Sequence, residues 1–294
     1  MNATKYSDGF WDSADGLKLH YRDYPANASG PADRPPILCL PGLTRNARDF
    51  EPVAEAFGGQ WRVICAEFRG RGESDYAKDS ATYVPQQYVA DMLAFFEQTG
   101  IERAVIIGTS LGGLVTMLLA MAAPHRLAGV VLNDIGPVIE PAGLERIKDY
   151  VGQGRSYPTW MHAARELQEV SREVYPDFAI SDYLKLAKRT MCLSSNGRIQ
   201  LDYDMKIAEP FAAAAVGDDA PAYDMWPAFR ALAGRPLLTL RGALSDLFSH
   251  ETLMRMQAEI PDMEAVTIPR VGHVPTLEEP EARDAIARLL ARIA

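Results

Sequence analysis

A chain of 294 residues, 48% hydrophobic and 23% charged, has the balance of a soluble globular protein with room for one large domain or two ordinary ones. Its net charge of −9 argues against a nucleic-acid groove or an anionic membrane surface as the main partner. No run approaches the roughly 20 apolar residues of a bilayer span, the N-terminal MNATKYSDGFWDSADG lacks an apolar signal core, and Cys39, Cys65 and Cys192 lack the paired spacing of a zinc site or a disulfide framework, so a reduced, cytoplasmic protein is expected.

Gly9 to Pro25 reads as a hairpin turned at Asp15-Gly16, and Asn27 to Pro36 as a loop rich in Ala, Pro and Ser. Pro36 to Leu40 is a short buried strand ending at Pro41-Gly42, followed by a helix from about Ala47 to Phe57. Trp61 to Ala66 is the next strand and runs into the polar loop Arg69-Gly70-Arg71-Gly72-Glu73-Ser74-Asp75. Gln86 to Thr99 has helical apolar spacing. Ala104 to Ile107 is a β-branched strand, Leu111 to Ala123 is rich in helix formers, and Leu127 to Leu132 is another buried strand. Short apolar strands alternating with helices imply a parallel sheet covered on both faces.

That rhythm breaks after Gly136-Pro137. Val138 to about Tyr223 is charged and aromatic, with helical stretches around Thr159–Tyr175 and Ser181–Met191 and no strong strand, so it reads as a helical insertion. The rhythm then resumes with a strand at Pro236–Leu240, a helix at Glu251–Glu259, a strand at Glu264–Ile268 and an amphipathic helix at Glu278–Ile293.

Between the central strand and its helix lies Gly108-Thr109-Ser110-Leu111-Gly112. A five-residue pattern is a weak signal by itself; the strand–turn–helix around it is what makes Ser110 a candidate nucleophile, because a strained serine turn needs small neighbours. A serine hydroxyl needs a base, and the base needs a group to fix it. In a parallel sheet such partners lie at the carboxyl ends of strands. Of five histidines only His273, in the turn after the last strand, meets that condition; His20, His125, His162 and His250 have structural explanations. Two acids compete. Asp246 follows the strand Pro236–Leu240, and Asp134 follows the strand ending at Leu132; the chain order Ser…Asp…His holds for both. The oxyanion donors would be the N–H of Leu111 and that of Leu43, in the turn allowed by Gly42.

These segments resemble the α/β-hydrolase superfamily, in particular the serine hydrolases with a lid inserted after the sixth strand. GTSLGG is similar to that family's nucleophile turn, RGRGESD to its loop after the fourth strand, RGALSD to its acid loop and GHVPTLEEPE to its histidine loop. The resemblance implies a mostly parallel eight-stranded sheet with helices on both faces. It also implies a core of residues 1–137 and 224–294 and a helical cap of residues 138–223. It gives Ser110 as nucleophile, His273 as general base and acid, and Asp246 as orienting acid, with Asp134 matching relatives whose acid follows strand six. No metal or organic cofactor is implied. Two departures stand out. Pro41 occupies the place of a common histidine, which removes the bonds that would brace the oxyanion loop, and Glu67 replaces an Asp at the end of strand four.

The expected reaction is hydrolysis of a carboxylic ester through an acyl-enzyme, on a small apolar ester-like substrate. The same triad would serve a lactonase, a carbon–carbon bond hydrolase or a perhydrolase, and a non-catalytic binding protein on this scaffold is the remaining alternative. Tyr150, Tyr157, Trp160, Tyr175, Phe178, Tyr183 and Tyr203 suggest an aromatic-lined pocket, and Arg189, Arg198 and Lys206 are candidate carboxylate contacts that read equally as solvated charge. The runs Arg69–Arg71 and Asp202–Asp204 read as turn and lid charges. Oligomeric state is not legible.

Overall fold

The chain opens with an antiparallel hairpin, β1 (Ser7–Asp12) and β2 (Lys18–Tyr24), turned at Gly16 with φ of 82°. The structure is a computed structural model and describes residues 5–27, 34–213 and 224–293. Most of the Ala/Pro/Ser loop, and the expected end of the insertion at residue 223, lie outside the described residues. After the hairpin come β3 (Ile37–Leu40), α1 (Glu51–Phe57) behind a single 3₁₀ turn at Ala47–Phe50, β4 (Val63–Ala66), α2 (Pro85–Thr99), β5 (Ala104–Thr109), α3 (Leu111–Ala122) and β6 (Leu127–Asn133).

Between β6 and the next strand of this sheet lie α4 (Pro141–Tyr150), β7 (Ser156–Tyr157), α5 (Trp160–Ser171), α6 (Ile180–Thr190), β8 (Met191–Leu193), β9 (Ile199–Leu201), α7 (Ala208–Ala213) and α8 (Trp226–Arg230). The three short strands form a small antiparallel sheet ordered β7-β9-β8, where the sequence predicts no strong strand. Strands of two or three residues are too short to show a period of two. The chain closes with β10 (Leu237–Gly242), α9 (His250–Glu259), β11 (Glu264–Ile268) and α10 (Pro280–Ala291).

The large sheet has eight strands in the order β1-β2-β4-β3-β5-β6-β10-β11. The pairs from β4 to β11 are all parallel, and β2 joins β4 antiparallel. Successive side chains of a strand point to opposite faces, and here both faces are apolar. Leu38, Leu40, Ala104, Ile106, Val130 and Leu132 enter one core with α2, α3, α8 and α9. Ile37, Cys39, Val105, Ile107, Val131 and Leu240 enter the other with α1 and α10. Two-sided burial explains why these strands read as unbroken apolar runs.

The chain passes from β3 outward to β4, then back across β3 to β5. Strand order therefore reverses between β3 and β5, and the loops leaving their carboxyl ends diverge to leave a crevice. Among the described residues no helix is long and apolar enough to cross a membrane.

Candidate active site

Ser110 stands on that crevice, between β5 and α3, with φ of 50° and ψ of −114°. Only four non-glycine residues have a left-handed φ among those described, and two of them are Ser110 and Asp134. Such backbone costs on the order of 1–3 kcal/mol per residue and persists where the surroundings enforce it. The Ser110 N–H donates to the Asn133 carbonyl at 3.0 Å, which ties the turn to the end of β6. The glycines follow from contact. A Cβ on Gly108 would stand 2.6 Å from the Gly112 carbonyl oxygen, and one on Gly112 would stand 2.1 Å from the Leu40 carbonyl oxygen. Either side chain would push α3 off the sheet.

The His273 loop is held from both sides. Asn133 Nδ2 donates to the Pro275 carbonyl at 2.9 Å, while the Tyr175 hydroxyl donates to the Val274 carbonyl at 2.7 Å and the Gly272 N–H to the Val174 carbonyl at 2.8 Å. In that position His273 Nε2 lies 3.0 Å from Ser110 Oγ, and Nδ1 lies 2.8 Å from Asp134 Oδ2. The Asp134 side chain is wholly buried. Its Oδ1 accepts the Gly242 N–H at 2.7 Å, and its Oδ2 also accepts the Ser245 hydroxyl at 2.7 Å. Burying a carboxylate is costly unless its oxygens find such hydrogen-bond partners.

Asp246 is a correction to the sequence reading. It makes no hydrogen bond to His273; both its oxygens accept from Arg146 of α4, at 2.5 and 2.8 Å. The Arg146 bonds hold its carboxyl below the usual carboxylate range against its partial burial. The expected orienting acid thus joins the loop after β10 to α4, and the alternative, Asp134, meets the histidine.

The turn after β3 approaches the serine closely. A Cβ at Gly42 would be 3.7 Å from Ser110 Cβ. Leu43 N–H finds no acceptor among the described residues, and Leu111 N–H is the first of α3, where no intrahelical acceptor exists. Although Pro41 cannot brace this turn, Arg71 does so: its Nε donates to the Leu43 carbonyl at 2.9 Å and its Nη1 to the Tyr88 hydroxyl at 2.9 Å. The sequence reads Arg69–Arg71 and Asp202–Asp204 as turn and lid charges. Both arginines are instead fully buried, Arg69 between Asp15 and Asp91. The two runs meet, since the Gly72 N–H donates to the Asp202 carbonyl and the Asp204 N–H to the Gly70 carbonyl. Glu67 accepts the Ala47 and Glu73 N–H groups and pairs with His20, so the longer side chain at the end of β4 links three loops. Burial opposes charge on His20, but Glu67 and then Asp8 outweigh it and raise its pKa.

A cavity of about 360 Å³ reaches His273. Of the seven predicted aromatics, Tyr150, Tyr157, Tyr175 and Tyr203 line it; Trp160, Phe178 and Tyr183 do not. Burial pushes the Tyr175 and Tyr203 phenols up to about 12, so both are neutral at physiological pH. Arg189, Arg198 and Lys206 are absent from the walls, with Arg189 paired to Glu278 and Arg198 bonded to Ser156. Arg45, Arg146 and Arg155 are present instead. Burial weighs against the charge of Arg45, but Asp49, Tyr175 and Tyr150 outweigh it and raise its pKa.

A family model described as alpha/beta hydrolase fold matches residues 35–280. The 3-hydroxybutyrate-oligomer hydrolase of Cupriavidus necator is 36% identical over 87% of this chain and 88% of its own length. The 2-(acetamidomethylene)succinate hydrolase of Mesorhizobium japonicum is 25% identical over 84% of each. The crystal structure of an alpha/beta hydrolase from Novosphingobium aromaticivorans is 60% identical and superposes with a TM-score of 0.92, covering 98% of this chain and 99% of that one.

Proposed function

The chain is an enzyme of the α/β-hydrolase fold family, and from that premise we propose that it cleaves a carboxylic ester through an acyl-enzyme formed on Ser110. The observation that carries the proposal is the unbroken hydrogen-bond path from Ser110 Oγ through His273 to the buried Asp134. His273 Nε2 accepts the serine proton as Oγ attacks the acyl carbon. Asp134 holds Nδ1–H and stabilises the imidazolium that results. The N–H groups of Leu43 and Leu111 take the oxyanion, a contribution worth about 10²–10³ in kcat per donor in comparable sites. His273 then protonates the leaving alcohol and activates water for deacylation.

The ester reading is supported by the Cupriavidus necator relative, because the units of a hydroxy-acid oligomer are joined by ester bonds. Under this reading the segment between β6 and β10 acts as a cap, roofing the small-molecule substrate with Tyr150, Tyr157, Tyr175 and Tyr203. The scheme uses no metal or organic cofactor. The test is Ser110→Ala: turnover of p-nitrophenyl butyrate by the purified protein should fall to background, and a fluorophosphonate probe should label the wild type alone. Unchanged turnover in the variant would overturn the scheme.

A further inference from the structure

The chain carries a net charge of −9, yet three arginines line its cavity against two acids, Asp149 and Glu166. Two of them are already engaged by planar partners. Arg146 donates through Nε and Nη2 to both oxygens of Asp246, and Arg155, with a side chain 53% exposed, pairs with Glu166. Arg45 differs. Its side chain is 20% exposed, and among the described residues its single carboxylate partner is Asp49, reached through Nη1 at 3.1 Å. A guanidinium presents five N–H donors in a rigid fork that matches a carboxylate two bonds at a time, so the Asp49 bond, even with the Tyr175 phenol beside the group, leaves donors for another acceptor.

The position of Arg45 is as informative as its charge. It lies two residues after Leu43, on the loop that leaves β3. Its Cγ and Ser110 Cβ are 3.5 and 3.7 Å from the one point where a Gly42 Cβ would stand. The same short loop therefore carries the proposed oxyanion donor and a cation one short spacer away from it. We infer that Arg45 receives a carboxylate on the substrate, so that the site takes esters retaining one free carboxylate close to the bond that is cut.

This rests on the ester-hydrolase reading and names its substrate class. A neutral ester would leave the open edge of a largely buried cation without a partner, and burying an unpaired donor is costly. An ammonium group placed at Arg45 would face like charge. The apolar ester-like substrate expected from the sequence thus becomes an amphiphile, with aromatic walls for its carbon skeleton and Arg45 for its anionic end.

The test uses 3-acetoxybutanoate and its neutral counterpart 3-acetoxybutanamide, with wild type, Arg45→Gln and Arg45→Lys. Acetate release gives kcat/KM for each pair. The wild type is expected to favour the acid by at least about tenfold, the low end for a hydrogen bond to a charged group, and chiefly through KM. That ratio should collapse toward one in Arg45→Gln and be kept in part by Arg45→Lys. Calorimetric binding of both molecules to Ser110→Ala protein, with and without Arg45→Gln, should repeat the preference and its loss without any turnover. Equal handling of acid and amide by protein with Arg45 intact overturns the inference. So does a preference that survives Arg45→Gln, or failure of the acid to bind. Absent turnover with the Arg45-dependent binding preference intact supports the carboxylate site and overturns the ester-hydrolase reading instead.

Discussion

Two adjacent parallel strands, β6 and β10, each deliver an aspartate to the same edge of the sheet, and the two residues end in opposite environments. The Asp134 side chain has no exposure and accepts from a backbone N–H, a hydroxyl and the imidazole. The Asp246 side chain is 35% exposed and accepts from one arginine. What separates them is the loop after β10. Gly242, the last residue of β10, and Ser245 in that loop are donors, and both point their hydrogen at Asp134. The loop in which an orienting acid is expected therefore supports the acid of its neighbour. A second carboxylate brought to the same imidazole would meet the first at short range, and two carboxylates sharing a site do not both ionise readily.

The largest expected effect tests this contrast directly. Asp134→Asn should lower kcat on p-nitrophenyl butyrate by about 10³–10⁴, with little change in KM, because an amide in that position favours the wrong imidazole tautomer. Asp246→Asn, assayed alongside, should lose far less. If Asp246→Asn shows the greater loss of kcat, the assignment of the two aspartates is reversed.

The reason the sequence does not choose between them is physical. Both follow buried strands, and both lie between Ser110 and His273 in the chain. The deciding contacts span long stretches of chain: Ser245 to Asp134 spans 111 residues and Arg146 to Asp246 spans 100. What is legible is local or periodic. The apolar runs of β3, β4, β5 and β10 mark two-sided burial, and the small residues around Ser110 mark close approach of α3 to the sheet. Arg71 is illegible for a related reason. An arginine in a Gly-rich loop reads as surface charge until the fold supplies the Leu43 carbonyl and the Tyr88 hydroxyl as acceptors. Arg45 is hidden in the same way, since nothing local distinguishes it from Arg189 or Arg198, whereas the fold puts Arg45 in the cavity wall.

Ser245→Ala is a finer probe of the support that Asp134 receives. The hydroxyl donates to Asp134 Oδ2 and accepts the Leu247 and Phe248 N–H groups at 3.3 and 3.1 Å. Removing it leaves the carboxylate with the Gly242 N–H and the imidazole. A hydrogen bond to a charged group is worth about 1.5–3 kcal/mol, but only the part that positions the carboxylate affects the rate. The expected result is a fall of about tenfold in kcat/KM, well short of Asp134→Asn. Steady-state kinetics on both variants provides the check, and a Ser245→Ala rate equal to wild type would show that the Gly242 contact alone suffices to hold the acid.

The smallest expected effect belongs to Asp246 and is one of stability. Because Asp246 and Arg146 are each about one-third exposed, solvent screening discounts their attraction, and Asp246→Asn should cost no more than about 1 kcal/mol. The pH dependence gives the sharper signature. The folded carboxyl is held below its usual range by Arg146, so the unfolded chain takes up its proton first as pH falls. The contribution is then fully present above the unfolded value of about 3.9 and fades as pH drops through the folded value. Thermal unfolding of wild type and variant should differ by a constant small interval from neutral pH down to the ordinary carboxylate range, and converge only below it. Added salt should narrow the interval throughout. An interval that instead changed near neutral pH would point to coupling with His273, and would return Asp246 to the role from which its contacts with Arg146 separate it.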